Sequence, residues 1–168
     1  RNRKSGLKDN TPDPRTPQVV ARAPFTVRRL VRWGDSDPAG IVYTGTYLDY
    51  MVEAAEDFFI TLTGRHWRDM QTESGTGTPM VHASMDFLKP VPAGQAIDIA
   101  VHVGRLGASS FDLHFVSRTM AGDVCFTGKL TGVHIRHVGP GAIAAQAMPA
   151  DWKAKLEEYS KAFPVPEK

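Results

Sequence analysis

The chain has 168 residues, of which 42% are hydrophobic and 23% charged, with a formal net charge of +2. That length supports one domain with its own core, and the composition excludes a disordered, fibrous or disulfide-stapled chain. The small net charge directs no field at nucleic acid or an anionic membrane, no run of about 18 apolar residues could span a bilayer, and the single cysteine, Cys125, fits a reducing compartment, so a cytoplasmic location is expected.

Residues 1–24 are basic and proline-rich (Pro12, Pro14, Pro17, Pro24), lack the apolar stretch of a secretory signal, and are expected to form a flexible tail before a single domain over 25–163. Over 25–33 the side chains alternate, with Phe25, Val27, Arg29, Val31 and Trp33 facing one way, which predicts a strand with a partly exposed face. Turn formers and Pro38 over 34–40 end that strand in a loop, where chemistry commonly resides. From Thr46 onward Tyr47, Met51, Ala54, Ala55, Phe58 and Leu62 recur at helical spacing, opposite Asp49, Glu53, Glu56 and Asp57. Asp49 suits the positive end of that helix and Gly64 suits its C-terminal cap. The breadth of the stripe predicts a helix packed against a sheet.

Residues 65–77 read as irregular. Four strand-like runs follow, at 79–87, 96–105, 109–119 and 124–136, parted by the turn formers of 89–94 and 121–123. With no long helix between them these strands pair antiparallel. Gly139-Pro140-Gly141 closes the sheet region, and 151–161 predicts a short surface helix. The order is that of an α+β fold, an antiparallel sheet wrapped around one long central helix. One helix covers one face only, so dimerisation is expected to hide further surface.

Residues 33–47 read W-G-D-S-D-P-A-G-I-V-Y-T-G-T-Y, which resembles the 4-hydroxybenzoyl-CoA thioesterase family, in the branch whose catalytic Asp precedes Pro-Ala-Gly-Ile-Val. Shorter runs at 77–79, 87–90, 110–111 and 116–119 lie where that family has similar ones, and the resemblance extends over 25–152. It implies a hot-dog fold, hydrolysis of an acyl-CoA thioester to the free acid and coenzyme A with an aromatic acyl group preferred, and no cofactor. It also implies a homodimer or a homotetramer built as a dimer of dimers, with sites at the subunit boundary.

Thioester hydrolysis needs a carboxylate, acting as nucleophile or as base for water, and a donor for the oxygen that becomes negative. By resemblance the carboxylate is Asp37 and the donor is the backbone N–H of Thr44, with Tyr43 and Gly45 beside it at the substrate. A helix N-terminus supplies such a donor whatever the side chain. His82 lies on the strand that in the family passes the acyl pocket. Arg105 and Arg118, with Lys129 and Arg136 as further candidates, could meet the phosphates of coenzyme A. Glu53 is the rival carboxylate, since another hot-dog branch carries its acid on the long helix, and Asp35 is read as a residue that orients the loop through backbone amides. Trp33, Tyr43, Tyr47, Phe58 and Phe59 could line a flat pocket or fill the core.

The six histidines include no i, i+4 pair on a helix and no accompanying cysteine set, so no metal site is expected, and Cys125 reads as a small buried apolar residue. Two other readings stay open beside the aryl-CoA one: a thioesterase for aliphatic acyl-CoA or acyl carrier protein, and a non-catalytic domain that binds acyl groups.

Overall fold

The computed structural model of the chain describes residues 17–167. In chain order the elements are β1 (Gln18–Arg22), β2 (Phe25–Leu30), α1 (Thr46–Thr63), α2 (Trp67–Ser74), β3 (Thr76–Gly77), β4 (Met80–Phe87), β5 (Ala96–Leu106), β6 (Ser110–Thr119), β7 (Val124–Val133), β8 (Ile135–Gly139), β9 (Ala142–Ala145) and α3 (Ala150–Ala162). An antiparallel sheet runs β1-β2-β5-β6-β7-β4, and a second, small one runs β3-β8-β9. The large sheet wraps around α1, which is the hot-dog architecture that the resemblance implies. Among the described residues no helix is long and apolar enough to cross a membrane.

Strand alternation builds the concave face. Ile97, Ile99, Val101 and Val103 of β5, Phe111, Leu113 and Phe115 of β6, and Phe126 and Leu130 of β7 are all buried. They form one core with the α1 stripe of Tyr47, Tyr50, Met51, Ala54, Ala55, Phe58 and Phe59. Aromatic rings mark the contact, with Tyr47 at 5.1 Å from Phe126 and Phe59 at 5.0 Å from Phe111 between centroids. The helix can come this close because β7 offers glycine at its centre. A Cβ on Gly128 would collide with the Met51 sulfur, while Gly132, near the end of β7, makes room for the Phe111 ring of neighbouring β6. Gly64 ends α1 with φ of 73°, the left-handed conformation expected of a C-cap glycine.

Several expectations are corrected. The strand foreseen over 25–33 ends at Leu30, because Trp33–Asp35 turns into a single 3-10 turn. Residues 1–16 of the expected tail lie outside the described residues, whereas Gln18–Arg22 pair with β2 and add an edge strand to the sheet. The stretch read as irregular holds α2, whose one buried residue, Met70, gives too little apolar period to detect. The run at 124–136 is two strands, parted at His134, and Gly139–Gly141 reverses the chain into β9 instead of ending the sheet. Helix α3 is no mere surface helix, for Trp152 and Leu156 are buried.

That helix replaces a strand. Strand β2 pairs with β5 only as far as Thr26 opposite Ala100, while β5 continues to Leu106. At this gap the Tyr159 hydroxyl accepts the Phe25 N–H at 2.7 Å and donates to the Val101 carbonyl at 2.8 Å. The Ser160 hydroxyl donates to the Val103 carbonyl, also at 2.8 Å. A side chain thus stands in for a ladder rung. Tyr159→Phe keeps the ring against Phe58 and leaves an amide and a carbonyl unpaired. The expected loss of about 1–3 kcal/mol should appear in urea unfolding as a lower midpoint with an unchanged slope. An unchanged midpoint would show that the bridge contributes nothing.

Candidate active site

The loop between β2 and α1 is a compact device held from three sides. At its entry the Val31 N–H donates to Gln95 O at 2.8 Å, and the Gly94 N–H returns to Val31 O at 2.8 Å. At its middle the Val42 N–H donates to Val91 O at 3.0 Å, and Ser36 and Val42 face each other as an isolated bridge. At its exit the Tyr43 N–H donates to Asp35 O at 2.9 Å, which brings the first residues of α1 back beside the loop's beginning.

Asp37 occupies the tip. Its N–H donates to Ile41 O at 2.9 Å and its carbonyl accepts the Gly40 N–H at 2.9 Å, closing a tight turn over Pro38 and Ala39. Pro38 presets its own φ for such a turn, and Gly40 leaves it with φ of 76°, where a side chain would be strained. The carboxylate is locked by one of its oxygens, since Oδ1 accepts the Ala39 N–H at 2.8 Å. Among the described residues nothing donates to Oδ2. Asp37 therefore presents one fixed and one available oxygen from a half-buried position.

The helix end lies alongside. Gly45 is the N-cap of α1 and no side chain caps it. The Thr46 N–H is taken by Tyr43 O at 2.9 Å and the Leu48 N–H by Gly45 O at 3.1 Å. The N–H groups of Thr44 and Gly45 have no acceptor among the described residues. Unpaired amides and the positive end of the helix dipole favour negative charge at this point. A side chain at Gly45 would run into the Tyr43 ring, so glycine lets that exposed ring fold over the helix end.

Beneath the loop, at the edge of the core, lies a polar cluster, foreseen only as an orienting role for Asp35. The Tyr50 hydroxyl donates to Asp35 Oδ2 at 2.7 Å, and the same oxygen accepts the Arg32 N–H at 2.8 Å. The Arg29 guanidinium stacks over the Tyr50 ring at 4.4 Å and forms an ion pair with Glu53. Burial pulls the Arg29 pKa down, opposed by nearby Tyr50 and Asp35, and burial pushes the Tyr50 phenol up, with its hydrogen bond to Asp35 adding to the rise. Glu53, the rival carboxylate, is thus an ion-pair partner on the flank of α1. The alternation of β2 already placed Arg29 on the inward side, a signal that a charge there needs partners.

The remaining candidates do not gather at the loop. His82 is exposed on β4 opposite Thr131, five residues from Phe87, whose ring meets Tyr47 at 5.3 Å. At about 3.3 Å per residue that separation is roughly 16 Å along the strand. Arg105 lies 3.6 Å from the Asp112 carboxylate, and Arg118 donates to Gly122 O at 2.9 Å. Arg118 lies opposite Asp98, seven residues before Arg105 on β5, so roughly 23 Å separates the two and one nucleotide in one protomer cannot engage both. Of the five aromatics considered for a pocket wall, Tyr47, Phe58 and Phe59 are core, while Trp33 and Tyr43 are 83% and 59% exposed. Cys125 is buried, its sulfur 3.2 Å from the Ser117 hydroxyl. Among the described residues no group of His, Cys, Asp and Glu is arranged to hold a metal ion.

Fold and loop together define an α+β hot-dog protein with an acidic turn set beside an uncapped helix N-terminus. Residues 31–167 match the model of the thioesterase-like superfamily, and the chain belongs to it. A 1,4-dihydroxy-2-naphthoyl-CoA hydrolase of Nostoc punctiforme is 33% identical over 91 residues, a stretch that is 54% of this chain and 61% of that one. The 4-hydroxybenzoyl-CoA thioesterase of Pseudomonas sp. strain CBS-3 is 29% identical over 132 residues, 76% of this chain and 94% of that one. Among solved structures, a 1,4-dihydroxy-2-naphthoyl-CoA thioesterase from Synechocystis superposes with a TM-score of 0.71 at 22% identity, covering 80% of this chain and 96% of the other.

Proposed function

We propose that the chain is an acyl-CoA thioesterase that prefers an aromatic acyl group, with Asp37 as its catalytic carboxylate. The observation that carries this reading is the pairing of a half-anchored Asp37 with the unpaired Thr44 and Gly45 amides on one braced loop. The thioester carbonyl oxygen accepts the Thr44 N–H, which stabilises the negative charge of the tetrahedral intermediate. Asp37 supplies the other half of the chemistry. Its free oxygen either attacks the carbonyl carbon, giving a mixed anhydride that water then hydrolyses to the free acid and the restored carboxylate, or takes a proton from an attacking water; in both the coenzyme A thiolate leaves as the C–S bond breaks and is protonated.

The aromatic preference is supported by the activities for which two relatives are named, one a hydrolase of a naphthoyl and the other of a benzoyl thioester. These differ by a ring, so the preference extends to the aryl class and not to 4-hydroxybenzoyl-CoA in particular. Trp33 and Tyr43, exposed on either side of Asp37, could provide flat walls for such a group.

Two protomers are part of the same proposal. Strand β4 is the edge of the large sheet and exposes Val81, with Phe87 and Leu88 exposed at its far end. An exposed edge of eight residues that carries Val81 and Phe87 is a pairing surface. Antiparallel pairing of two β4 edges would carry the partner's His82 toward the Phe87 end of this strand, which Tyr47 links to the start of α1.

Asp37→Asn is expected to lower kcat by about 10²-fold or more with unchanged circular dichroism, and Glu53→Gln to have a mild effect. A lethal Glu53→Gln beside an active Asp37→Asn would transfer the chemistry to the helix. The kcat/KM for benzoyl- or hydroxybenzoyl-CoA should exceed that for decanoyl-CoA. Tenfold better turnover of decanoyl-CoA would overturn the aryl preference and leave a thioesterase, whereas no turnover of any thioester would leave only acyl binding. Light scattering is expected to give a dimer or a tetramer, and a fully active monomer would refute the edge pairing.

A further inference from the structure

We propose that Tyr50 is a positioning residue, whose hydroxyl fastens the loop carrying Asp37 to helix α1 through Asp35. This inference rests on the thioesterase reading of that loop. Tyr50 lies on the second turn of α1, six residues beyond Thr44, and is 1% exposed. A phenol buried this deeply needs an acceptor, and it has one in Asp35 Oδ2 at 2.7 Å. Asp35 in turn holds both flanks of the loop. Its carboxylate takes the Arg32 N–H on the entry side and its carbonyl takes the Tyr43 N–H on the exit side. One hydrogen bond therefore joins the helix to the two strands of chain between which Asp37 projects.

The ring that carries this hydroxyl is itself held. Arg29 stacks on one part of it at 4.4 Å and Tyr47 packs against it edge-on at 6.1 Å between centroids. Glu53, one turn further along α1 than Tyr50, pins the Arg29 guanidinium by its ion pair. Arg29, Tyr50, Asp35 and Glu53 thus form a closed brace from β2 through α1 to the loop, and none of the four has to touch substrate. Removing the Tyr50 hydroxyl leaves Asp35 its two backbone contacts but cuts the side-chain tie between the loop and the body of the helix, leaving the backbone bond from Thr46 N–H to Tyr43 O at its first turn. The Asp37 carboxylate and the Thr44 amide then lose their fixed relation, and small misplacements of reacting groups are costly to rate.

The test uses the full chain and four forms of it: wild type, Tyr50→Phe, Asp35→Ala and the double variant. For each, amide hydrogen exchange over 33–45 is followed by mass spectrometry, and kcat and KM are measured with an aryl-CoA. Tyr50→Phe is expected to speed exchange in that segment and to lower kcat, each by about tenfold, with KM within about twofold of wild type. If Tyr50 acts through Asp35, adding Tyr50→Phe to Asp35→Ala has no further effect, whereas independent roles multiply. Wild-type exchange and kcat in Tyr50→Phe, or multiplying effects in the double variant, would overturn the inference. Should Tyr50→Phe fail to fold, Asp35→Ala carries the same exchange test, because it removes the acceptor and keeps Tyr50 in the core. A wild-type chain inactive on every thioester would refute the functional reading alone, since the exchange arm judges the brace without any turnover.

Discussion

The closeness of α1 to β7 is the constraint from which the rest of the molecule follows. A glycine at position 128 lets the Met51 side chain of α1 lie against bare backbone, and a glycine at 132 makes room for the Phe111 ring of β6, on which Phe59 of α1 packs. With a side chain at 128 the helix would have to rise away from the sheet, and the rings of Tyr47 and Phe59 would lose their partners, Phe126 on β7 and Phe111 on β6. A packed interior tolerates such shifts poorly, because its density leaves no room to redistribute volume. The axis of α1 is therefore fixed by its middle. Its first turn, where the Thr44 and Gly45 amides are unpaired, inherits that position, and the loop that bears Asp37 needs only to be tied to a helix already in place.

That tie is polar, in contrast to the apolar packing that fixes the helix. Arg29 enters the interior from β2, on the face where Phe25 and Val27 are buried. A charge there is tolerated because Glu53 neutralises it and the Tyr50 ring receives it. Hydrogen bonds and ion pairs are directional, so this cluster specifies one arrangement of loop against helix, where apolar contact alone would accept several. A geometry-sensitive reaction suits such a support.

What the sequence revealed follows the same physics. Helix α1 was legible at both ends because its apolar stripe is wide and Gly64 has no alternative use, and the loop because turn formers crowd between two periodic segments. Asp37 is singled out through its motif. Helix α2 and strand β1 were not, since one buries a single residue and the other is an edge strand that leaves Val19 and Val20 exposed, so neither prints a period. Gly139 to Gly141 illustrates a different limit, for the same punctuation serves a terminus or a hairpin. The brace was half visible. Arg29 shares a register with Phe25 and Val27 but reads only as part of a partly exposed strand, and Tyr50 shows no role until its hydroxyl is seen to have a partner. Arg105 and Arg118 look alike on paper as phosphate ligands, and only the β5–β6 register sets them at opposite ends of the sheet.

The rung supplied by Tyr159 has a bearing on how the protein is made. Phe25 and Tyr159 are 134 residues apart in the chain, yet the hydroxyl of one completes the hydrogen bonding of the other's amide. On the ribosome, β2 emerges before its partner β5, which follows after the helix and β4. The seam between them can form only as far as Ala100. The remaining stretch of β5 keeps an open edge until α3 leaves the exit tunnel, so that part of the sheet is sealed only after every strand has been made, by a helix that follows them all in the chain.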